Sequence, residues 1–284
     1  MMDRIQVGCR LTYQVDSRTT FLFNVGVAET ELQTVESDRY ETVPFTPLEI
    51  LNVGLCSNRV HRLTCEPGLF SLNYDATVQL NSDVLLAPNL TEHEYRELPS
   101  EVLPFLNPSR YCESDRLANF ALSEFGSSIH GYFRVKAVCD WTQRHLSYVP
   151  GSTTNLSTAC DVIIQRQGVC RDFTHLAIAL CRGLGIPARY VAGYAMNLNP
   201  PDFHGFFEAY LAGRWFLFDA TNLAPVGGLV RIASGFDAAD VPFATILGSA
   251  TLLEKSVFAR GIGNVERLNQ DPNSVGISTV SLEE

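Results

Sequence analysis

From Phe70 to Asn81 the chain alternates without a break. Phe70, Leu72, Tyr74, Ala76, Val78 and Leu80 fall on one side; Ser71, Asn73, Asp75, Thr77, Gln79 and Asn81 fall on the other. Successive side chains of a strand point to opposite faces, so this period defines a half-buried antiparallel strand. Cys9, Leu11, Tyr13 and Val15 repeat the pattern against Arg10, Thr12, Gln14 and Asp16. Thr20–Ala28 and Arg59–Cys65 are further strand segments. Several short strands with no helical stretch between them predict a β-sandwich. Pro99, Pro104 and Pro108 then crowd a stretch that neither a helix nor a central strand tolerates. The reading is an antiparallel β-sandwich domain over 1–108 and a second domain over 109–284. From about 264 periodicity fades and polar residues take over, which predicts a loosely structured tail.

Past the prolines the period changes. Leu117, Phe120, Ala121 and Phe125, then Phe133, Val135, Val138, Trp141 and Leu146, recur at helical spacing over 114–146. Gly126 and Gly131, with Ser127 and Ser128, split this run into two helices. Thr158–Gln167 reads as another short helix. A chain of 284 residues buries enough surface to fold without disulfides or metal. No apolar run approaches the ~18 residues of a membrane span. A net charge of −10 is a poor footprint for nucleic acid or anionic lipid, so neither partner is expected. The start, Met1 to Gln6, lacks the apolar core of a signal peptide, which predicts a cytoplasmic protein.

The eight cysteines are Cys9, Cys56, Cys65, Cys112, Cys139, Cys160, Cys170 and Cys181. None sits at the spacing of a zinc knuckle or redox pair, so most are expected to be buried thiols, and no metal or other cofactor is expected. Cys170 differs by position. Phe173, Leu176, Ala177, Leu180, Cys181 and Leu184 form a core-facing helix stripe, closed by Gly183, Gly185 and Pro187. Cys170 therefore lies at the first turn, where free N–H groups and the helix dipole favour a thiolate. A buried structural thiol is the alternative for such a position.

A thiolate needs a base. His175 is five residues along the same helix, ~500° of rotation away, and reads as structural or surface. His204 precedes two strand segments, Phe206–Leu211 and Trp215–Asp219, joined at Ala212-Gly213. A two-residue turn pairs Leu211 with Arg214 and makes His204 and Asp219 diagonal neighbours on one face. A nucleophile at a helix start, a base on a strand and an orienting carboxylate on the next strand form the arrangement of acyl transfer through a thioester.

At these residues the chain resembles the transglutaminase-like superfamily, whose core is papain-like. Its motifs stand here as Gly168-Val169-Cys170-Arg171-Asp172, Gly185-Ile186-Pro187-Ala188-Arg189, His204-Gly205-Phe206, Trp215, and Asp219-Ala220-Thr221-Asn222. Phe206 replaces a customary Trp and Ala220 a customary Pro; both read as packing changes. The likeness is specific over 157–222 and looser over about 115–240. The leading β segment resembles the N-terminal domain of bacterial transglutaminase-like proteins. The resemblance implies an α+β fold, with a papain-like core of helices on an antiparallel sheet. It also implies Cys170 as nucleophile, His204 as base and acid, and Asp219 as orienter. The expected activity is hydrolysis of a protein, peptide or amide substrate. The rival readings are acyl transfer to an amine and a non-catalytic interaction module. The oxyanion hole would use the Cys170 N–H, with Gln165 or Gln167 as second donor. Asp172, Arg189 and Tyr194 read as structural, and Glu208 is placed to pair with Arg189.

Overall fold

The computed structural model describes residues 2–81, 83–265, 268, 270–271 and 273–278. The first half carries β1 (Met2–Val15), β2 (Thr19–Phe23), β3 (Gln33–Val43), β4 (Glu49–Val53), β5 (Asn58–Cys65), β6 (Gly68–Asn81) and β7 (Asp83–Leu86). Helices and short strands follow: α1 (Ser114–Phe125), α2 (Tyr132–His145), β8 (Ser147–Tyr148), α3 (Ala159–Gln165), β9 (Gln167–Gly168) and α4 (Cys170–Gly183). The chain ends in strands β10 (Ala188–Ala195), β11 (Phe203–Leu211), β12 (Arg214–Phe218), β13 (Leu229–Gly235), β14 (Ala244–Leu247), β15 (Ala250–Ile262) and β16 (Val275–Ser278).

The fold is α+β. Two four-stranded antiparallel sheets, β15-β1-β6-β3 and β14-β2-β5-β4, make the sandwich. Tyr13, Phe21, Phe23 and Phe70 are almost wholly buried, with Phe21 stacked on Phe70 at 5.6 Å between ring centroids. The third sheet, β12-β11-β10-β13, carries α4. That helix is buried along most of its length, between the sheet and α1, α2 and α3. Tyr194 on β10 donates to the Val25 carbonyl at 2.7 Å, so the sandwich and the α+β core share one apolar interior.

The structure differs from the two-segment division at one place. β14 and β15 belong by position to 109–284, yet they pair with β2 and β1 and complete both sandwich sheets. Both are edge strands, and β15 is exposed along most of its length. An exposed edge strand has no apolar face to reveal its period. The tail also differs from expectation. Val275–Ser278 form β16, which pairs with β7, and Ile277 is buried. Positions 266–267, 269, 272 and 279–284 of that expected tail lie outside the described residues. The strand predicted over Thr20–Ala28 stops at Phe23. Beyond it Asn24 N–H bonds Phe243 O at 3.0 Å and Ala28 N–H bonds Arg231 O at 3.0 Å, so the backbone turns toward the other half.

Candidate active site

Cys170 is the first residue of α4. The helix starts here because Asp172 folds back on it: the Val169 N–H donates to Asp172 Oδ2 at 2.9 Å. Gly168 leaves room for this. A Cβ there would stand 2.7 Å from the Asp172 Cβ. The Cys170 thiol is half-buried and lies beside the His204 ring and the Gly205 N–H.

His204 is the second residue of β11 and is 2% exposed. Its Nε2 meets Asp219 Oδ2 at 2.9 Å, which leaves Nδ1 for the thiol. The register comes from the hairpin. Leu211 pairs with Arg214, and Ala212 and Gly213 both have positive φ, 47° and 81°, the signature of a two-residue type I′ turn. Asp219 Oδ1 accepts from the Thr221 N–H at 2.8 Å and from the Thr221 hydroxyl at 2.7 Å, so the carboxylate cannot rotate away from the ring. The entry to β11 is held from the sandwich side by Lys255 on β15, whose Nζ is 2.6 Å from the Asp202 carboxylate.

Burial by itself would raise the Cys170 thiol. The hydrogen bond and charge of His204, with the Gly205 N–H, outweigh it and bring the thiol below its ordinary value. Burial would lower His204, but the Asp219 carboxylate and the thiol push it up to about 10. Burial would raise Asp219; the His204 charge and the Thr221 bonds hold it below the usual carboxylate value. The site thus favours a thiolate–imidazolium pair oriented by a carboxylate. Burial drives Cys9, Cys65, Cys112, Cys139, Cys160 and Cys181 upward, opposite to Cys170.

The glutamines behave otherwise. Gln165 ends α3 and is exposed, and Gln167 is half-buried on β9; neither side chain makes a hydrogen bond among the described residues. Tyr148 stands at the thiol instead. β8 pairs with β9 in parallel, Tyr148 opposite Gly168, and its hydroxyl lies against the Cys170 N–H and thiol. A two-residue strand has no period, so nothing in the local sequence pattern marks this tyrosine.

Arg189, Glu208 and His175 take structural positions around the site. Arg189 Nε donates to Glu208 Oε2 at 2.7 Å, and Arg231 Nη2 donates to the other oxygen. His175 is buried between Tyr111 and Tyr190, with ring centroids 5.0 and 5.2 Å away, and accepts from the Ala238 N–H at 3.1 Å. Phe206 and Ala220 are fully buried, as packing residues are. Among the described residues, no cluster of three or more histidine, cysteine or acidic side chains is arranged to hold a metal ion. Among the described residues no helix is long and apolar enough to cross a membrane.

A thiol at a helix start beside a histidine–carboxylate pair on a hairpin, on this sheet order, defines a class of cysteine enzymes, and the chain belongs to the transglutaminase-like superfamily. Residues 123–220 match that superfamily's core, and residues 3–92 match the bacterial transglutaminase N-terminal domain. A protein of Cytophaga hutchinsonii described as a candidate cysteine protease is 41% identical over 98% of each chain, with a TM-score of 0.92. An uncharacterized protein of Mycobacterium leprae is 34% identical over 119 residues, 38% of this chain and 41% of its own length. One of Mycobacterium tuberculosis is 35% identical over 111 residues, 34% of this chain and 35% of its own. The chain spans less than half the length of these mycobacterial relatives.

Proposed function

We propose that the chain hydrolyses peptide or amide bonds through a thioester on Cys170. The observation that carries this reading is the 2.9 Å contact of His204 Nε2 with Asp219, which leaves Nδ1 at a thiol lowered in pKa. The thiolate attacks the carbonyl carbon, and the oxyanion forms between the Cys170 N–H and the Tyr148 hydroxyl. One such donor is worth about 10²–10³ in kcat. His204 passes the Nδ1 proton to the leaving amine, and the C–N bond breaks. His204, now neutral, takes a proton from water, whose oxygen attacks the thioester. The acid leaves and the thiolate–imidazolium pair is restored. Acid–base transfer at each step contributes about 10²–10⁴.

The test is digestion of a fluorescein-labelled casein, with and without a primary amine such as dansylcadaverine. New peptide ends that require Cys170 support hydrolysis. Dansyl incorporation without new ends replaces it by acyl transfer to an amine. A folded Cys170→Ala protein with unchanged activity defeats both and leaves a non-catalytic interaction module.

The pH profile is a separate prediction. His204 is raised to about 10, so the basic limb of kcat/KM lies near that pH. Asp219→Asn removes the carboxylate that opposes burial, so the limb moves to lower pH by about 1–3 units. An unmoved limb would show that another group titrates there.

A further inference from the structure

Segment 149–157, between β8 and α3, is fastened at three successive residues, the first two to the start of α4 and the third to Tyr111 ahead of α1. The Thr153 hydroxyl donates to Asp172 Oδ2 at 2.6 Å. Arg171 Nη2 donates to the Thr154 carbonyl at 2.6 Å, and the Tyr111 hydroxyl donates to the Asn155 carbonyl at 2.7 Å. Asp172 is 0% exposed, and its Oδ1 also accepts from Arg171 Nη2 at 3.0 Å. At the other end, the Ser147 N–H donates to the Arg166 carbonyl and the Val149 N–H to the Gly168 carbonyl, each at 2.9 Å, so Tyr148 is held from both sides.

One carboxylate therefore sets two positions. Oδ2 takes the Val169 N–H at 2.9 Å, which fixes the helix entry, and the Thr153 hydroxyl, which fixes the segment that follows Tyr148. The negative charge of Asp172 opposes a thiolate nearby, so making the thiolate is not what this group is suited to. It is suited to spacing the two N–H and O–H donors that face a developing oxyanion. Donors of this kind act only when held about 2.7–3.1 Å from the oxyanion position.

We propose that the Thr153–Asp172 contact is a positioning contact for acyl transfer, setting the Tyr148 hydroxyl against the Cys170 N–H and taking no part in forming the thiolate. This rests on the reading of Cys170 as nucleophile. Thr153 and Asp172 are positioning residues; they touch neither substrate nor reacting atoms.

Two reactions of the same thiol separate the roles. Iodoacetamide alkylates sulfur by displacing iodide at a saturated carbon: S–C forms, C–I breaks, and no oxyanion appears. p-Nitrophenyl acetate acylates sulfur through a tetrahedral oxyanion, which collapses to the thioester and expels p-nitrophenolate. Thr153→Val keeps the volume and removes the donor. Its alkylation at pH 6 is expected to stay within about twofold of wild type, while its p-nitrophenolate burst slows by about tenfold or more. Thr153→Ser restores the burst, and Asp172→Asn gives the same split as Thr153→Val. Cys170→Ala supplies the background. Equal slowing of both reactions, or slowing of neither, overturns the proposal. A wild-type protein that resists alkylation at pH 6 overturns the nucleophile reading, and this proposal with it.

Discussion

His204→Ala is expected to slow the alkylation of Cys170 by iodoacetamide at pH 6 by on the order of 100-fold. The imidazolium beside the thiol, raised to about 10, is what outweighs burial at Cys170. Without it the thiol faces burial and the negative charge of Asp219, both of which raise it. An ordinary thiol of pKa ≈ 8.5 is only about 0.3% thiolate at pH 6. The greater nucleophilicity of a more basic thiolate returns part of that loss. Peptide mapping by mass spectrometry follows each cysteine separately, and the buried Cys112 and Cys181 serve as unreactive references within the same sample. The wild-type rate should change less with pH between 6 and 8 than the variant's, because the thiol is held below its ordinary value. The variant's should climb with pH, as an isolated thiol does. Equal rates at pH 6 would remove the ion pair from the argument.

The largest effect on stability is expected at Glu208. Its side chain is 0% exposed and bonds Arg189 and Arg231, both largely buried. Arg189 also stacks over Trp215, with its guanidinium carbon 4.2 Å from the ring centroid. Burial lowers Arg231 to about 10 against the opposing pull of Glu208. Glu208→Ala takes away the carboxylate and leaves two buried cations facing each other. Breaking a buried pair in this way costs about 3–5 kcal/mol. In a chain of this size that lowers Tm by roughly 10 °C, read by thermal melting at pH 7. Glu208→Gln retains an acceptor and should fall between. A loss under about 1 kcal/mol for Glu208→Ala would mean that water reaches the arginines once the carboxylate is gone.

What could be read in advance divides along a physical line. The four strands read in the sequence, two by alternation within β1 and β6 and two as strand segments within β2 and β5, are the interior strands of the sandwich. There one face is always buried, so Tyr13, Phe21, Leu63 and Tyr74 must be apolar while their neighbours need not be. The four left unread, β3, β4, β14 and β15, are the edges. The helices were legible because the stripe from Phe173 to Leu184 has to fill a core on several sides. His204 and Asp219 were legible because turn length fixes parity, and Ala212-Gly213 is the shortest turn that brings them together. Tyr148 was not, since its place depends on a parallel bridge between β8 and β9, two residues each, whose partners are 20 positions apart. Gln165 and Gln167 are near Cys170 in sequence, but a helix end carries one of them out to solvent.

The closure of the sandwich by β14 and β15 has a consequence for how the protein is made. β6 ends at Asn81 and β15 at Ile262, so about 180 residues of chain separate the middle of a sheet from its rim. At roughly 5–20 residues per second, a ribosome needs about 10–40 s to bridge that gap. Throughout that interval β1 and β2 offer bare backbone donors and acceptors to whatever is near. A nascent chain caught there pairs most readily with its neighbours on the same message. Fusion, truncation or stalling before Ala250 is therefore a route to inclusion bodies, whatever the state of the catalytic residues.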